Sequence, residues 1–231
     1  MPTADPLPLL TLSGVSRRYG ERHALLPIDL TVAAGWCVAV LGPNGSGKST
    51  LLRIAAGRDA PSTGLVSYGG RRLTADDPVV RTEIAVVGDM VSAYPDLTVR
   101  EHLLLVAVAH GAGRDAGSLA DRALQECRLD DHADALPPSL SSGQQQALHL
   151  AAVLVRPRRL LVLDEPEQRL DPAARRWLAG LLLAEKSAGG ALLVATHHAE
   201  LATVVADHVI VLSDGAVTAE GRPEVALAEL P

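Results

Sequence analysis

Eight consecutive residues, Gly42-Pro43-Asn44-Gly45-Ser46-Gly47-Lys48-Ser49, combine three glycines, a lysine and a closing hydroxyl. Glycines at this spacing let backbone N–H groups converge on one point, a concavity that suits phosphate oxygens. Lys48 adds a compact positive charge for a terminal phosphate. The Ser49 hydroxyl is placed to ligate a divalent cation such as Mg²⁺, and Thr50 is a further candidate contact. A second cluster, Leu160-Leu161-Val162-Leu163-Asp164-Glu165, ends an apolar run in two carboxylates. Asp164 would hold the cation, through water. Glu165 would orient or deprotonate a water attacking the phosphate.

Such groups need elements that bring them together. Val38–Leu41 is an apolar run leading straight into the glycine-rich turn, and Ser49–Ala56 reads as the helix after it, with Gly57 as its stop. The turn thus lies between a buried strand and a helix N-terminus, whose dipole favours an anion. Leu160–Leu163, apolar at four successive positions, reads as a strand buried on both faces. Its acids fall at the carboxyl end, where open α/β sheets place ligands. Leu9–Val15, Ile28–Val32, Ile84–Val87, Ala191–Ala195 and Val209–Leu212 read as further strands. Leu65–Tyr68, closed by Gly69-Gly70, reads as a hairpin arm, and Asp214-Gly215 as a turn. Helical patterns cover Val99–His110, Leu119–Cys127 and Ala173–Ala188, then a short stretch from Ala199 and a final Pro223–Leu230. No strand is apparent from about residue 90 to 158. The expected fold is α/β: a nucleotide-type core with a mainly parallel sheet (about 5–88 and 158–231), an N-terminal antiparallel β subdomain, and an inserted helical subdomain (about 89–157), all in one domain.

Composition sets limits. The 231 residues are 48% hydrophobic, enough for a substantial core. No segment approaches the roughly 18 apolar residues of a membrane span, and the N-terminus lacks the basic and apolar regions of a secretory signal. The chain is expected in the cytoplasm, with any membrane contact made through a partner. Cys37 and Cys127 lack metal-ligand spacing and read as reduced core thiols. A net charge of −6 without a basic run argues against nucleic acid as a partner. Only two of the 21 basic residues are lysines, Lys48 and Lys186, so Lys48 has a specific reason to be there. His102, His110 and His149 lie on helical segments and are not expected to cluster. His198 reads as a solvent-exposed neighbour of His197.

The first two motifs define a P-loop nucleoside triphosphatase (NTPase). About twenty residues before the acidic pair, Leu140-Ser141-Ser142-Gly143-Gln144-Gln145 resembles the signature of the ABC ATPases. The downstream Leu170-Asp171 and Thr196-His197 resemble the same family, as does Tyr19 within Ser16-Arg17-Arg18-Tyr19-Gly20. The resemblance covers about residues 9 to 225. It implies ATP and Mg²⁺ as ligands and ATP hydrolysis as the reaction. It also implies a head-to-tail dimer of two ATPase domains, homo- or heterotypic, with ATP between them. Tyr19 would then stack on adenine. Ser141, Ser142, Gly143 and Gln144 would face ATP held by the partner domain, Asp171 would lie near the nucleotide, Glu165 would be the base, and His197 would clamp the terminal phosphate and the water.

The sequence departs from the family pattern in three places. Asp89 stands where a Gln usually ends the strand entering the helical subdomain; if it reaches the site, it is a candidate metal and nucleotide contact. Ser142 replaces a Gly, a change that strains the chain if positive φ is required there. Glu167-Gln168-Arg169 replaces small residues, with Arg169 where Gly is frequent. The expected function is that of the ATP-hydrolysing subunit of a membrane transporter, of exporter type, peripheral on the inner face of the membrane and bound to a separate integral membrane subunit. Two alternatives remain open: a soluble ABC ATPase acting on a nucleic-acid or protein assembly, and a regulatory subunit that binds ATP and hydrolyses little.

Overall fold

The computed structural model describes residues 8–74, 76–88 and 93–229. Among the described residues, ten strands form two sheets. β1 (Pro8–Tyr19), β2 (Arg22–Ala33), β4 (Thr63–Tyr68) and β5 (Arg71–Arg72) make an antiparallel sheet in the order β2-β1-β4-β5. β3 (Cys37–Leu41), β6 (Ile84–Val87), β7 (Leu160–Asp164), β8 (Ala191–Ala195), β9 (His208–Ser213) and β10 (Ala216–Gly221) make the second, in the order β10-β9-β3-β8-β7-β6. All its pairings are parallel except β10 on β9. The helices are α1 (Lys48–Ala55), α2 (Pro78–Thr82), α3 (Val99–Ala109), α4 (Ala116–Glu126), α5 (Ser142–Leu154), α6 (Pro172–Ser187), α7 (Ala199–Val205) and α8 (Pro223–Ala226).

The continuous apolar runs of the central strands follow from burial on both faces. Leu160 and Val162 join Val38, Val40, Leu193 and the α1 side chains Leu51 and Ile54 in one core, which extends into the antiparallel sheet. Leu161 and Leu163 point the other way, into a core with Leu192, Val194 and the apolar faces of α3, α4, α5 and α6. The helical segment therefore shares its core with the parallel sheet. α3 is started by a capping box: Thr98 Oγ1 accepts from Glu101 N at 3.2 Å, and Glu101 Oε2 accepts from Thr98 N at 2.8 Å.

Several elements differ from the sequence reading. β1 and β2 are each 12 residues long, well beyond the apolar stretches that announced them, because register shifts carry the pairing out to Tyr19 and Arg22. α2 and β10 were not anticipated, whereas β5 is the second arm of the hairpin expected at Gly69-Gly70. β10 is an edge strand without a buried residue, so it lacks an apolar signature. The final helix is shorter than expected: α8 stops at Ala226 and continues as a 3₁₀ turn over Leu227–Glu229. The histidines are also corrected, since His102 on α3 and His149 on α5 are electrostatic neighbours where the two helices pack.

Both cysteines are free and buried. Burial pushes the Cys37 thiol up to about 12, and the Cys127 thiol is raised for the same reason. Neither is a reactive thiolate. Lys186, the second lysine, donates to Asp207 Oδ1 at 2.9 Å and to Val205 O at 3.2 Å, while Asp207 Oδ2 accepts from Cys37 N. It ties α6 to the segment entering β9.

Candidate functional site

The strand order β3-β8-β7-β6 lines up four carboxyl ends. The glycine-rich loop leaves β3, Thr196 and His197 follow β8, Asp164 closes β7 with Glu165 directly after it, and Gly88 follows β6. A cleft of about 660 Å³ lies over this edge. Asn44, Gly45, Gly47, Lys48, Ser49, Thr50, Asp164 and Glu165 border it, as does Tyr19. The structure thus brings the phosphate loop and the acidic pair together. Arg22, Ala24 and Gly88 border the same cleft and were not singled out from sequence; Gln168, noted there only as a departure from the family's small residues, borders it too.

Two glycines are required by close approach. At Gly42, with φ +145°, a Cβ would fall 2.1 Å from Leu212 O. At Gly47, with φ +106°, it would fall 2.6 Å from Ala24 O. Gly47 caps α1, and no acidic residue occupies the first turn of that helix, so the positive end of its dipole faces the cleft uncompensated. Lys48 Nζ donates to Gly42 O at 2.8 Å and Pro43 O at 3.1 Å, and lies 3.8 Å from Glu165 Oε1. Ser46 Oγ is buried without a hydrogen-bond partner. A buried ammonium, an unpaired hydroxyl and a bare helix N-terminus are what a phosphate chain needs. The Ser49 hydroxyl and the Asp164 carboxylate on the same cleft are hard oxygen donors of the kind Mg²⁺ takes.

Glu165 adopts φ +48°, a left-handed conformation that is costly for a residue with a side chain. Its amide donates to Ala195 O at 2.9 Å and holds the end of β7 against β8. Gln168 Nε2 donates to Glu165 Oε2 at 3.4 Å. His197 is about half exposed, with Nδ1 3.9 Å from Glu165 Oε1 and 3.9 Å from Glu167 Oε1. Glu167, two residues past the acidic pair, is 1% exposed and accepts the Thr196 hydroxyl. Its place beside His197 was not anticipated; the only signal was an acidic residue where small ones were expected. His198, expected as a solvent-exposed neighbour, is only partly exposed, and its amide donates to Thr196 Oγ1 at 3.0 Å.

Tyr19 ends β1 at the rim of the cleft and is 46% exposed. Its hydroxyl donates to Asp59 Oδ2 at 2.6 Å, and the Arg17 guanidinium lies 4.5 Å above its ring. Arg17 also pairs with Asp59 at 2.9 Å, so the ring is held in place.

Within one chain the signature residues do not meet this cleft. Ser141 is the N-cap of α5: its Oγ accepts from Gln144 N, and Gln144 Oε1 accepts from Ser141 N at 2.8 Å. Ser141, Gly143 and Gln144 border a different hollow, together with Arg169, Asp171 and Trp177. Ser142 is the first residue of α5 and does not adopt positive φ, which corrects the expectation of strain there. Arg169 does adopt it, at φ +67°, in the place where Gly was expected. Asp171 serves as N-cap of α6, its Oδ1 accepting from Ala174 N at 2.7 Å. Asp89 lies outside the described residues.

Residues 25–168 match the family model described as ABC transporter. The chain is 35% identical over 229 residues to the Nod factor export ATP-binding protein I of Rhizobium meliloti, an alignment covering 99% of this chain and 68% of that relative. The protein of the same name from Burkholderia lata is 34% identical, over 94% of this chain and 72% of that relative. Among solved structures, the dimeric structure of MJ0796, described as a bacterial ABC transporter cassette, superposes with a TM-score of 0.84 at 29% identity. That match covers 93% of this chain and 98% of the other. The structure of an ATP-binding subunit of an ABC transporter superposes with a TM-score of 0.81 at 32% identity, over 93% of this chain and 90% of that one.

Proposed function

Because the chain belongs to the ABC transporter family of ATP-binding cassettes, we propose that it hydrolyses MgATP to energise an exporter whose membrane-spanning part is a separate polypeptide. One observation carries this reading: Lys48, Ser49, Asp164 and Glu165, from two motifs more than a hundred residues apart, border one cleft. Its exporter character rests on the relatives named for Nod factor export. No helix among the described residues is long and apolar enough to cross a membrane, which fits a separate membrane subunit.

In the proposed reaction the loop amides and the α1 N-terminus hold the phosphate chain, and Lys48 turns from the Gly42 and Pro43 carbonyls to the terminal phosphate. Ser49 and Asp164 hold Mg²⁺, which neutralises phosphate charge when bound. Glu165 takes a proton from water as the water oxygen bonds to the terminal phosphorus. The bond from that phosphorus to the bridging oxygen breaks, and ADP leaves with the electron pair. His197 donates a hydrogen bond to the terminal phosphate, and Tyr19 stacks on the base. The chemistry consists of positioning and electrostatic stabilisation.

A single chain leaves one side of the nucleotide uncovered, because Ser141 and Gly143 face another hollow. A second ATPase domain, head to tail with the first, would present its Ser141 hydroxyl and α5 N-terminus to that nucleotide. The test is co-purification with a multi-spanning membrane protein, followed by steady-state ATPase measurement on the complex. Stimulated hydrolysis in the complex supports the reading; a chain that binds ATP but hydrolyses none with its partner present refutes it.

A further inference from the structure

Two carboxylates flank His197, and only Glu165 belongs to the nucleotide cleft. The other, Glu167, is sealed from solvent. Its Oε1 accepts the Thr196 hydroxyl, and its Oε2 is buried with no hydrogen-bond partner. A carboxylate buried with an unsatisfied oxygen is costly unless a cation completes it. The groups nearest this carboxylate are His197, whose Nδ1 lies 3.9 Å from Oε1, and His198; the two rings lie with centroids 4.2 Å apart and planes tilted by 38°. One ligand atom from each of Glu167, His197 and His198 lies within 4.8 Å of the other two.

We propose that Glu167, His197 and His198 form a site for a transition-metal ion of the Zn²⁺ class that switches off hydrolysis when filled. Two imidazole nitrogens and one carboxylate oxygen are a ligand set that Zn²⁺ takes, at about 2.0–2.2 Å per bond. Ligand atoms around such an ion sit about 3–3.5 Å apart, closer than the 4.8 Å within which these three lie, so filling the site draws the imidazoles inward. His197, about half exposed, is free to turn. Glu167 is already oriented by Thr196, the outer-shell hydrogen bond that ligating carboxylates usually have. Mg²⁺, which prefers oxygen donors, discriminates against this nitrogen-rich set, so the site is chemically distinct from the one at Ser49 and Asp164. Three protein ligands leave a fourth position for water.

The inhibitory consequence rests on the proposed role of His197. A ring held by metal cannot reach the terminal phosphate, whereas Lys48 and Ser49 are untouched. Nucleotide binding should therefore survive while hydrolysis stops.

Metal binding is tested first on the full chain, free of nucleotide and Mg²⁺, by calorimetric titration with ZnCl₂. The expected result is one equivalent bound, with His198→Ala and Glu167→Gln each weakening affinity by about 10- to 100-fold or more. Co²⁺ in place of Zn²⁺ should give the visible absorption of a tetrahedral site in the wild type and lose it in His198→Ala. Equal affinity in all three proteins would overturn the site. In the second experiment, ATPase at saturating MgATP should be inhibited by Zn²⁺ and restored by a chelator. His198→Ala should keep the uninhibited rate and need at least about tenfold more Zn²⁺ for inhibition. The same inhibition in His198→Ala would place the metal at the Mg²⁺ site and overturn the proposal. Zn²⁺ binding through His198 without loss of ATPase would overturn the inhibitory role. His197→Ala, assayed without Zn²⁺, tests the role of His197 separately.

Discussion

Lys48 Nζ lies 3.8 Å from Glu165 Oε1 and donates to the carbonyls of Gly42 and Pro43, so the ammonium is held back on its own loop, facing the carboxylate across the cleft. The lysine is 5% exposed, and its charge has no solvent to fall back on. Lys48→Ala removes the cation proposed to meet the terminal phosphates, and MgATP affinity should fall by about 10- to 100-fold, the range of hydrogen bonds to charged groups. Lys48→Arg should also weaken binding, because a planar guanidinium does not fit a loop built around a point charge. Equilibrium titration with a fluorescent ATP analogue measures both; unchanged affinity in the two variants would remove Lys48 from the site.

Glu165→Gln keeps the shape of the side chain and removes its basicity. ATP binding should persist while hydrolysis drops by about 10²-fold or more. The ATP-bound pair should then accumulate, visible by size-exclusion chromatography with MgATP. Normal turnover in this variant would assign the base to another residue.

Gly88 stands against Asp164. At φ +131°, a Cβ on residue 88 would lie 2.7 Å from Asp164 Cβ. Gly88→Ala should cost about 1–3 kcal/mol of stability through backbone strain and crowding. It should also raise the Mg²⁺ concentration needed for half-maximal ATPase, because Asp164 is displaced. Chemical denaturation and a Mg²⁺ titration read the two effects. Lost stability with an unchanged Mg²⁺ requirement would separate Asp164 from the metal.

His102 and His149 make folding sensitive to acid. Desolvation holds both below the ordinary histidine value of 6.5. The neighbouring His149 charge adds to the effect on His102, and that of Arg169 to the effect on His149. With the folded value depressed, the unfolded chain binds more protons as pH falls below 6.5, so stability rises with pH across that window and is lost on acidification. The melting temperature should fall from pH 7.5 to pH 5.5. His102→Met, which leaves no ring to protonate at a site whose Nδ1 is buried without a partner, should make that fall shallower. Parallel slopes in the two proteins would show that His102 is not a source of the acid sensitivity.

The sequence by itself determined the phosphate loop, the acid-ended strand β7 and the α/β alternation. Each of these is written in a contiguous run. Glycines at 42 and 47 mark backbone that no side chain can follow, and Leu160–Leu163, apolar on both sides, marks a strand covered on both faces. The Ser141–Gln144 capping box is equally local, three residues apart on one turn of helix, but these residues were read from sequence as part of the signature, and the structure shows the cap. Only the tertiary structure decided which of these runs are neighbours. The order β3-β8-β7-β6 sets His197 beside Glu165, Gly88 against Asp164, and the Thr196 hydroxyl on Glu167, 29 residues away in the chain. The packing of α3 on α5 brings His102 into the field of His149. These pairings depend on which strand edges and helix faces bury the most apolar surface together, and that is a property of the assembled core. The same limit explains Ser142: the strain expected from its residue type is absent because the chain there has already entered the helix.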